Sequence, residues 1–472
     1  MPDDYDLAVL REATIAEELG QLRLVPVAVG DDDALLCVHS GHGNIDPAPD
    51  HFSFPTDSLT LTLLSTEGDV RWTTDLPGVI PGVWFCPVYP FDLDGDGVEE
   101  IWCVTTDDPD HPMNTAGFRL ARVDAEDGAV ADTWDWPRAP PGRQSLKYRH
   151  FVFGGHVDGD PVLVTAQGTY ADMALQGWNP DMSRRWSVEL DAHDPDFFET
   201  LGGRDSWTVD VDVGEAAAGA RGSHLCPVLD IDGDGADEFC WGERLFDLDT
   251  GRERWCADRD TWHGHSDVIQ PTLDRERDRW LIYTCREMYT DVSPRVVAYD
   301  ADGERVWSAV DEGHMHVGWT ARLDDDGGHV AMAGRDKWAP HDELDEFAWD
   351  GYDGTERDLD FPVYSTLPVD IDGDGRHELL YRMFDRAGTV VDSAGDVIGR
   401  TDERVAHAQP SKLLDHPGEQ FVTYTEDGRI RVWGDRNAAD TSAARERYDH
   451  PYYRKAQRLS AVGYNRQNLG GL

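Results

Sequence analysis

Asp92-Leu-Asp-Gly-Asp-Gly-Val-Glu-Glu100, Asp230-Ile-Asp-Gly-Asp-Gly-Ala-Asp-Glu238 and Asp370-Ile-Asp-Gly-Asp-Gly-Arg-His-Glu378 are three copies of one acidic loop, starting 138 and 140 residues apart. Each copy sets carboxylates at positions 1, 3, 5 and 9 around a glycine at position 6. Alternating carboxylates on a tight turn converge on one point, the oxygen cage that a hard cation such as Ca²⁺ prefers. The expected ligands of structural Ca²⁺ are therefore Asp92, Asp94, Asp96 and Glu100; Asp230, Asp232, Asp234 and Glu238; and Asp370, Asp372, Asp374 and Glu378. The loop lacks the carboxylate at position 12 and the exiting helix of an EF-hand. An apolar strand follows each copy (Ile101 to Val104, Phe239 to Trp241, Leu379 to Tyr381). Recurrence at regular spacing points to a fold built from repeats.

A second phrase alternates with the loops: a short apolar strand, an Asp/Gly turn, then a strand that often holds Trp. It recurs at Glu67 to Trp72, Asp124 to Trp134, Asn179 to Trp186, Asp247 to Trp255, Asp300 to Trp307, Asp350 to Leu359, Asp392 to Arg400 and Glu426 to Trp433. Each is a hairpin signal, and another strand pair precedes each. The unit is a four-stranded antiparallel sheet, and such units in series indicate an all-β propeller. Eight blades are expected from residue 22 to residue 444. Seven is the alternative, because the first and last partial units can close into one. Residues 1–21 read as an N-terminal extension, with a short helix between Asp3 and Leu19. Residues 445–472 read as a C-terminal extension packing on or closing the ring.

Net charge is −51, with 93 acidic against 42 basic residues, and only Lys147, Lys337, Lys412 and Lys455 are lysine. So strong a negative field argues against nucleic acid and anionic membranes as partners. An acidic surface with few lysines resembles that of proteins from salt-in halophilic microbes. No apolar run approaches the ~20 residues of a membrane span. Met1 to Gly20 lacks the basic and apolar regions of a secretion signal, so a cytoplasmic location is expected; a monomer is expected as well. Seven cysteines without CxxC spacing read as reduced, mostly buried thiols.

Strand alternation puts the acidic loops and Asp/Gly turns on one end of the ring and the longer, more variable connections on the other, where function concentrates. Histidines fall just before the innermost strand of several units: His150, His224, His263 with His265, His314 with His316, and His407. They converge on the channel mouth. The same end carries His111, Tyr170, Arg286 with Glu287, Arg335 with Lys337, and Arg382. Arg and His around a cleft suit an anionic ligand. Tyr or His beside cations can act as general base, and no carboxylate pair of the hydrolase kind stands out. The set fits β-elimination on a uronic-acid glycan, with His150, Tyr170, His224, His265, Arg286, His316 and Arg335 as candidate catalytic residues.

Arg221-Gly-Ser-His224 leading into the second acidic loop, Gly264-His-Ser-Asp267, Gly168-Thr-Tyr170 followed by a strand and Trp178, and the Tyr452-Tyr-Arg-Lys and Val462-Gly-Tyr-Asn465 segments resemble polysaccharide lyase family eleven, the rhamnogalacturonan lyases. The resemblance runs from about Phe85 to Asn465 and implies an eight-bladed propeller with calcium loops that cleaves rhamnose–galacturonate bonds. The family's tail runs from Tyr-Asn into Gln and Pro, whereas here Tyr464-Asn-Arg-Gln follows. Gly168-Thr-Tyr-Ala-Asp172 is closer to seven-bladed lyases acting on ulvan or rhamnose–glucuronate linkages, in which a Tyr serves as base and acid. Galacturonate, glucuronate and iduronate therefore all stay open. Some of those relatives hold a structural zinc, which makes Cys256, His263, His265 and Cys285 a candidate Zn²⁺ set. A non-catalytic propeller binding carbohydrate or protein is the alternative function.

Overall fold

The computed structural model describes residues 5–30, 32–43, 57–82, 85–106, 117–136, 149–169, 173–190, 219–262, 264–287, 293–323, 328–336, 345–358, 361–465 and 468–472. They form eight separate four-stranded antiparallel sheets, so the eight-bladed reading holds. Blade one opens with Gln21–Val29 innermost, blade three with His150–Val157, blade five with His265–Asp274 and blade six with His314–Arg322. These inner strands are buried over most of their length, because blades flank them on both sides and the channel closes in front.

Ring closure corrects the reading of the N-terminus. Residues 7–14 are not part of an extension, nor helical. Leu7–Thr14 is the outermost strand of blade eight, antiparallel to Arg429–Asp435. One blade thus takes strands from both ends of the chain, and separating the ends costs a whole row of ladder hydrogen bonds. A period-two pattern in an acidic segment is a weak signal, and the partner strand lies more than 400 residues away.

The C-terminus does not close the ring. It fills the channel. Helices α1 (Ser442–Tyr448) and α2 (Pro451–Arg458) start with side-chain caps from Thr441 and His450. They lie at the acidic-loop end, where the Lys455 ammonium pairs with Asp237 and Tyr448 Oη donates to Asp370 at 2.9 Å. The chain then enters the channel. Tyr464 N–H reaches the His224 carbonyl at 3.2 Å, and Asn468 Oδ1 accepts from Gln270 at 2.8 Å. Among the described residues, no helix is long and apolar enough to cross a membrane.

The Asp/Gly–Trp phrases pack neighbouring blades. Indole N–H groups of Trp72, Trp186, Trp255 and Trp307 donate to backbone carbonyls of Ala125, Leu248, Ala301 and Gly351, each in the next blade's turn. The turn glycine is required twice over. Gly251 has φ +66°, and a Cβ there would stand 2.6 Å from the Trp186 ring.

In the acidic loops, Asp92 Oδ1 and Oδ2 accept from the N–H groups of Gly95 (2.7 Å) and Gly97 (2.9 Å), and Asp230 repeats this with Gly233 and Gly235. The three Asp of each loop bring one oxygen apiece within 4.8 Å of one another. Glu100, Glu238 and Glu378 accept from the backbone N–H of Leu93, Ile231 and Ile371. The seven cysteines are free thiols, all buried except the half-buried Cys256.

Candidate active site

Blades five and six carry the same local irregularity. His265 stands opposite Glu287 and Ser266 opposite Arg286, but Val268 opposite Cys285, so Asp267 is an inserted bulge residue. In blade six, Met315 stands opposite Arg335 and Val317 opposite Gly334, which makes His316 the inserted residue. A bulge re-aims its side chain and bends the strand. The two inserted residues meet: His316 Nδ1 lies 2.9 Å from Asp267 Oδ2.

Six side chains gather there. Asp267 Oδ1 lies 3.2 Å from His224 Nδ1 and 3.7 Å from His265 Nε2. Glu287 Oε2 lies 2.5 Å from His265 Nε2, and Oε1 lies 2.5 Å from His314 Nε2. All but His316 are buried, and the His316 side chain is 32% exposed. Two quartets, His224/His265/Asp267/Glu287 and Asp267/Glu287/His314/His316, each place ligand atoms within 4.8 Å of one another. Burial, then the neighbouring Glu287, pushes the Asp267 carboxyl well above the usual carboxylate range. Glu287 is held well below that range: contact with His265, Asp267 and His314 outweighs its burial. Burial also drives His224 well below its ordinary value and lowers His265. Two adjoining buried carboxylates among imidazoles are a donor set that a divalent cation satisfies.

The tail completes the site. Asn465 Nδ2 donates to the Asp267 carbonyl at 2.7 Å, and the Tyr464 ring meets His224 edge-on at 5.4 Å. Beside the cluster opens a cavity of about 340 Å³ whose lining includes His316, Tyr364, Arg382, His407, Tyr464 and Asn465. His316 stacks with Tyr364 at 6.2 Å between centroids and joins cluster to cavity.

Of the predicted site residues, His224, His265 and His316 come together. His150 does not join them. It is fully buried, with Nδ1 at the Phe85 carbonyl, Nε2 at Gln167, and the rings of Phe118 and Trp136 packed on it. Arg286 is likewise fully buried, bonded to Glu243, Asp258 and Tyr299 and covered by Trp262. It faces away from the cavity because strand neighbours alternate sides, and Glu287 takes the channel side. Arg335 pairs with Asp345 and stacks on Phe347. Tyr170, His111, His263 and Lys337 lie outside the described residues. The proposed zinc set is spread out among the described residues. His265 belongs to the cluster, Cys285 is buried 3.3 Å from Tyr283 Oη, and Cys256 sits in the outer strand of blade four.

A carboxylate pair does exist on this face, contrary to expectation. Asp267 and Glu287 come from two strands and meet only through the register that sets His265 opposite Glu287. The readable signal was the alternation His265-x-Asp267 and His314-x-His316, which puts both members of each pair on one face of a strand.

No protein-family model matches the chain. It is 25% identical to the rhamnogalacturonan exolyase YesX of Bacillus subtilis strain 168, in an alignment covering 57% of this chain and 45% of that protein. The matched part thus spans less than half of that relative's length. Three solved structures share the fold. The exotype rhamnogalacturonan lyase YesX matches at TM-score 0.71 and 19% identity, over 99% of this chain and 79% of that one. The rhamnogalacturonan lyase YesW matches at 0.68 and 16%, over 98% and 83%, and a Bacillus licheniformis rhamnogalacturonan lyase at 0.69 and 17%, over 98% and 81%.

Proposed function

We propose that the protein is a polysaccharide lyase that cleaves a rhamnose/uronic-acid glycan by β-elimination. The observation that carries this reading is the buried cluster of His224, His265, Asp267 and Glu287 beside a cavity lined by Arg382, His316, Tyr364 and Tyr464. The fold shared with rhamnogalacturonan lyases supports it. In the reaction a base removes the proton on C5 of the uronate. The electron pair forms the C4–C5 double bond, the bond from C4 to the glycosidic oxygen breaks, and that oxygen takes a proton. A divalent cation on the cluster would neutralise the uronate carboxylate and so acidify the C5 proton. Arg382 adds positive charge to an otherwise acidic molecule, and Tyr364 and Tyr464 supply flat faces for sugar rings. Tyr170 is our candidate base. It follows Thr169, whose carbonyl accepts from Gly222 N–H at 2.9 Å, just upstream of His224.

We further propose that the three acidic loops hold structural Ca²⁺ at the other end of the ring.

The test offers rhamnogalacturonan, ulvan and a rhamnose-capped glucuronate gum to the purified protein in molar salt with calcium. The ultraviolet absorbance of an unsaturated uronate is followed. A rise with one of them supports the lyase and names its uronate. Tyr170→Phe should then abolish turnover and leave binding in place. No rise with any glycan, from protein shown to be folded, would turn the reading to a binding propeller.

A further inference from the structure

The cavity at the channel mouth is charged opposite to the molecule around it. The chain carries 93 acidic side chains against 42 basic ones. Yet none of the described residues lining the cavity is Asp or Glu, while Arg23 and Arg382 both line it. Arg23 belongs to the innermost strand of blade one, Gln21–Val29. That strand is tied to blade eight: Leu24 N–H donates to the His407 carbonyl at 3.4 Å, and His407 N–H to the Leu22 carbonyl at 3.0 Å. Arg23 Nη1 donates to the carbonyl of Cys86 at 3.1 Å and to that of Ala461, in the tail, at 3.3 Å. Its Nε and Nη2 meet no acceptor among the described residues, although Arg23 is only 2% exposed. Half-buried Arg382 donates from Nη2 to the Tyr364 carbonyl at 3.1 Å, and its Nε likewise meets no acceptor there.

Other buried arginines of this chain are compensated. Arg286 faces Glu243 at 2.6 Å and Arg447 faces Glu419 at 2.9 Å. Burial lowers both, but those carboxylates outweigh it and raise them. Arg23 has no carboxylate partner. Burial lowers it to about 10, so it keeps its charge at neutral pH. A buried charge without a counter-charge strongly destabilises a fold, and an anion held on it offsets that cost. The unmet nitrogens also have a shape. Nε and Nη2 form the side edge of the guanidinium fork, where two parallel N–H groups receive both oxygens of a carboxylate or one halide between them. The bonds from Nη1 to Cys86 and Ala461 fix the plane of that fork.

We infer that the channel mouth holds an anion-binding site built on the Nε–Nη2 edge of Arg23 and flanked by Arg382, separate from the imidazole–carboxylate cluster. Its ligand is a monovalent anion: a free halide, or the carboxylate of a sugar acid, for which a cavity of about 340 Å³ has room.

The inference does not rest on lyase activity, and occupancy reads it out with no glycan cleaved. Crystals of the full chain grown with chelator would be soaked in sodium bromide, and others in sodium glucuronate. The expected result is a bromine anomalous peak on the free edge of Arg23, stronger than any at the exposed Arg277 and Arg436. Carboxylate density on that edge after the glucuronate soak names the sugar acid as a source, and bromide without it names the free halide. Arg23→Gln should lose the peak, and if that variant does not fold the wild-type crystals decide. Neither bromide nor carboxylate on Arg23 overturns the proposal. Bromide no stronger there than at Arg277 and Arg436, with no glucuronate bound, marks an adventitious ion only and overturns it too, as does a peak that survives in folded Arg23→Gln.

Discussion

At the residue scale, burial decides which histidines can take part in solution chemistry. His329 is fully buried in blade six, its Nδ1 2.6 Å from Tyr352 Oη, and burial followed by Arg322 lowers it to about 3. His39 is lowered to about 4 by burial, and His377 well below its ordinary value for the same reason. A depressed histidine stays neutral in the folded chain while the unfolded chain takes up a proton. The stability it contributes is complete above the ordinary value of about 6.5. It is lost as pH falls from there toward 3, by about 1.4 kcal/mol for each pH unit. His329→Asn removes this contribution. Its melting temperature should therefore fall less than the wild-type value between neutral pH and about pH 4, as read by calorimetry in parallel. An equal or steeper fall would show that His329 does not couple to acid unfolding.

At the element scale, blades are joined by indoles on glycine turns, and the acidic loops are joined to their blades by arginines. Gly251→Ala forces a Cβ into the Trp186 ring at a positive φ and should cost about 1–3 kcal/mol. Gly395 also has positive φ (+84°), but nothing lies within 4 Å of its would-be Cβ. Gly395→Ala should thus lower the melting temperature less, and equal losses would mean that indole packing is not what the Gly251 site protects. In the second acidic loop, Arg254 bridges Asp232 and Glu238, each at 2.6 Å. With Ca²⁺ on this loop and lyase activity at the cavity, as proposed above, Asp232→Ala should shrink the gain in melting temperature on adding Ca²⁺ and leave turnover unchanged, because the loop lies at the end opposite the cavity. A fall in kcat with an intact melting temperature would contradict that division of labour.

At the scale of the whole molecule, charge and closure dominate. With 93 acidic side chains against 42 basic ones, repulsion outweighs the surface Arg–Asp pairs, which are worth about 0–1 kcal/mol each. Raising salt from about 0.1 M to 1 M shortens the screening length from about 10 Å to 3 Å. It weakens both effects, and the net repulsion is the larger. The melting temperature should therefore climb with NaCl. A decline on scanning calorimetry would show that the ion pairs win. Closure by the Leu7–Thr14 strand makes the ring one cooperative unit, so the transition should be single.

The repeat was legible without any coordinates. Acidic loops at near-constant spacing, Asp/Gly turns before Trp and period-two strands are local patterns, and local patterns survive in one dimension. They were enough for the four-stranded unit, for a ring of eight or seven blades, and for the end of the ring where His224, His265 and His316 gather; the eight separate sheets of the folded chain decided the count. The remainder came from the folded chain. A strand at the N-terminus completes the last blade because a partner distant in sequence offers it a free edge. Two bulges swing Asp267 and His316 together, and register sets Glu287 against His265. Strand alternation buries Arg286 in an ion-pair network, while close packing holds His150 under aromatic rings. Such contacts depend on which strand lies beside which and on where the register slips, and neither is written in the residues of any one segment.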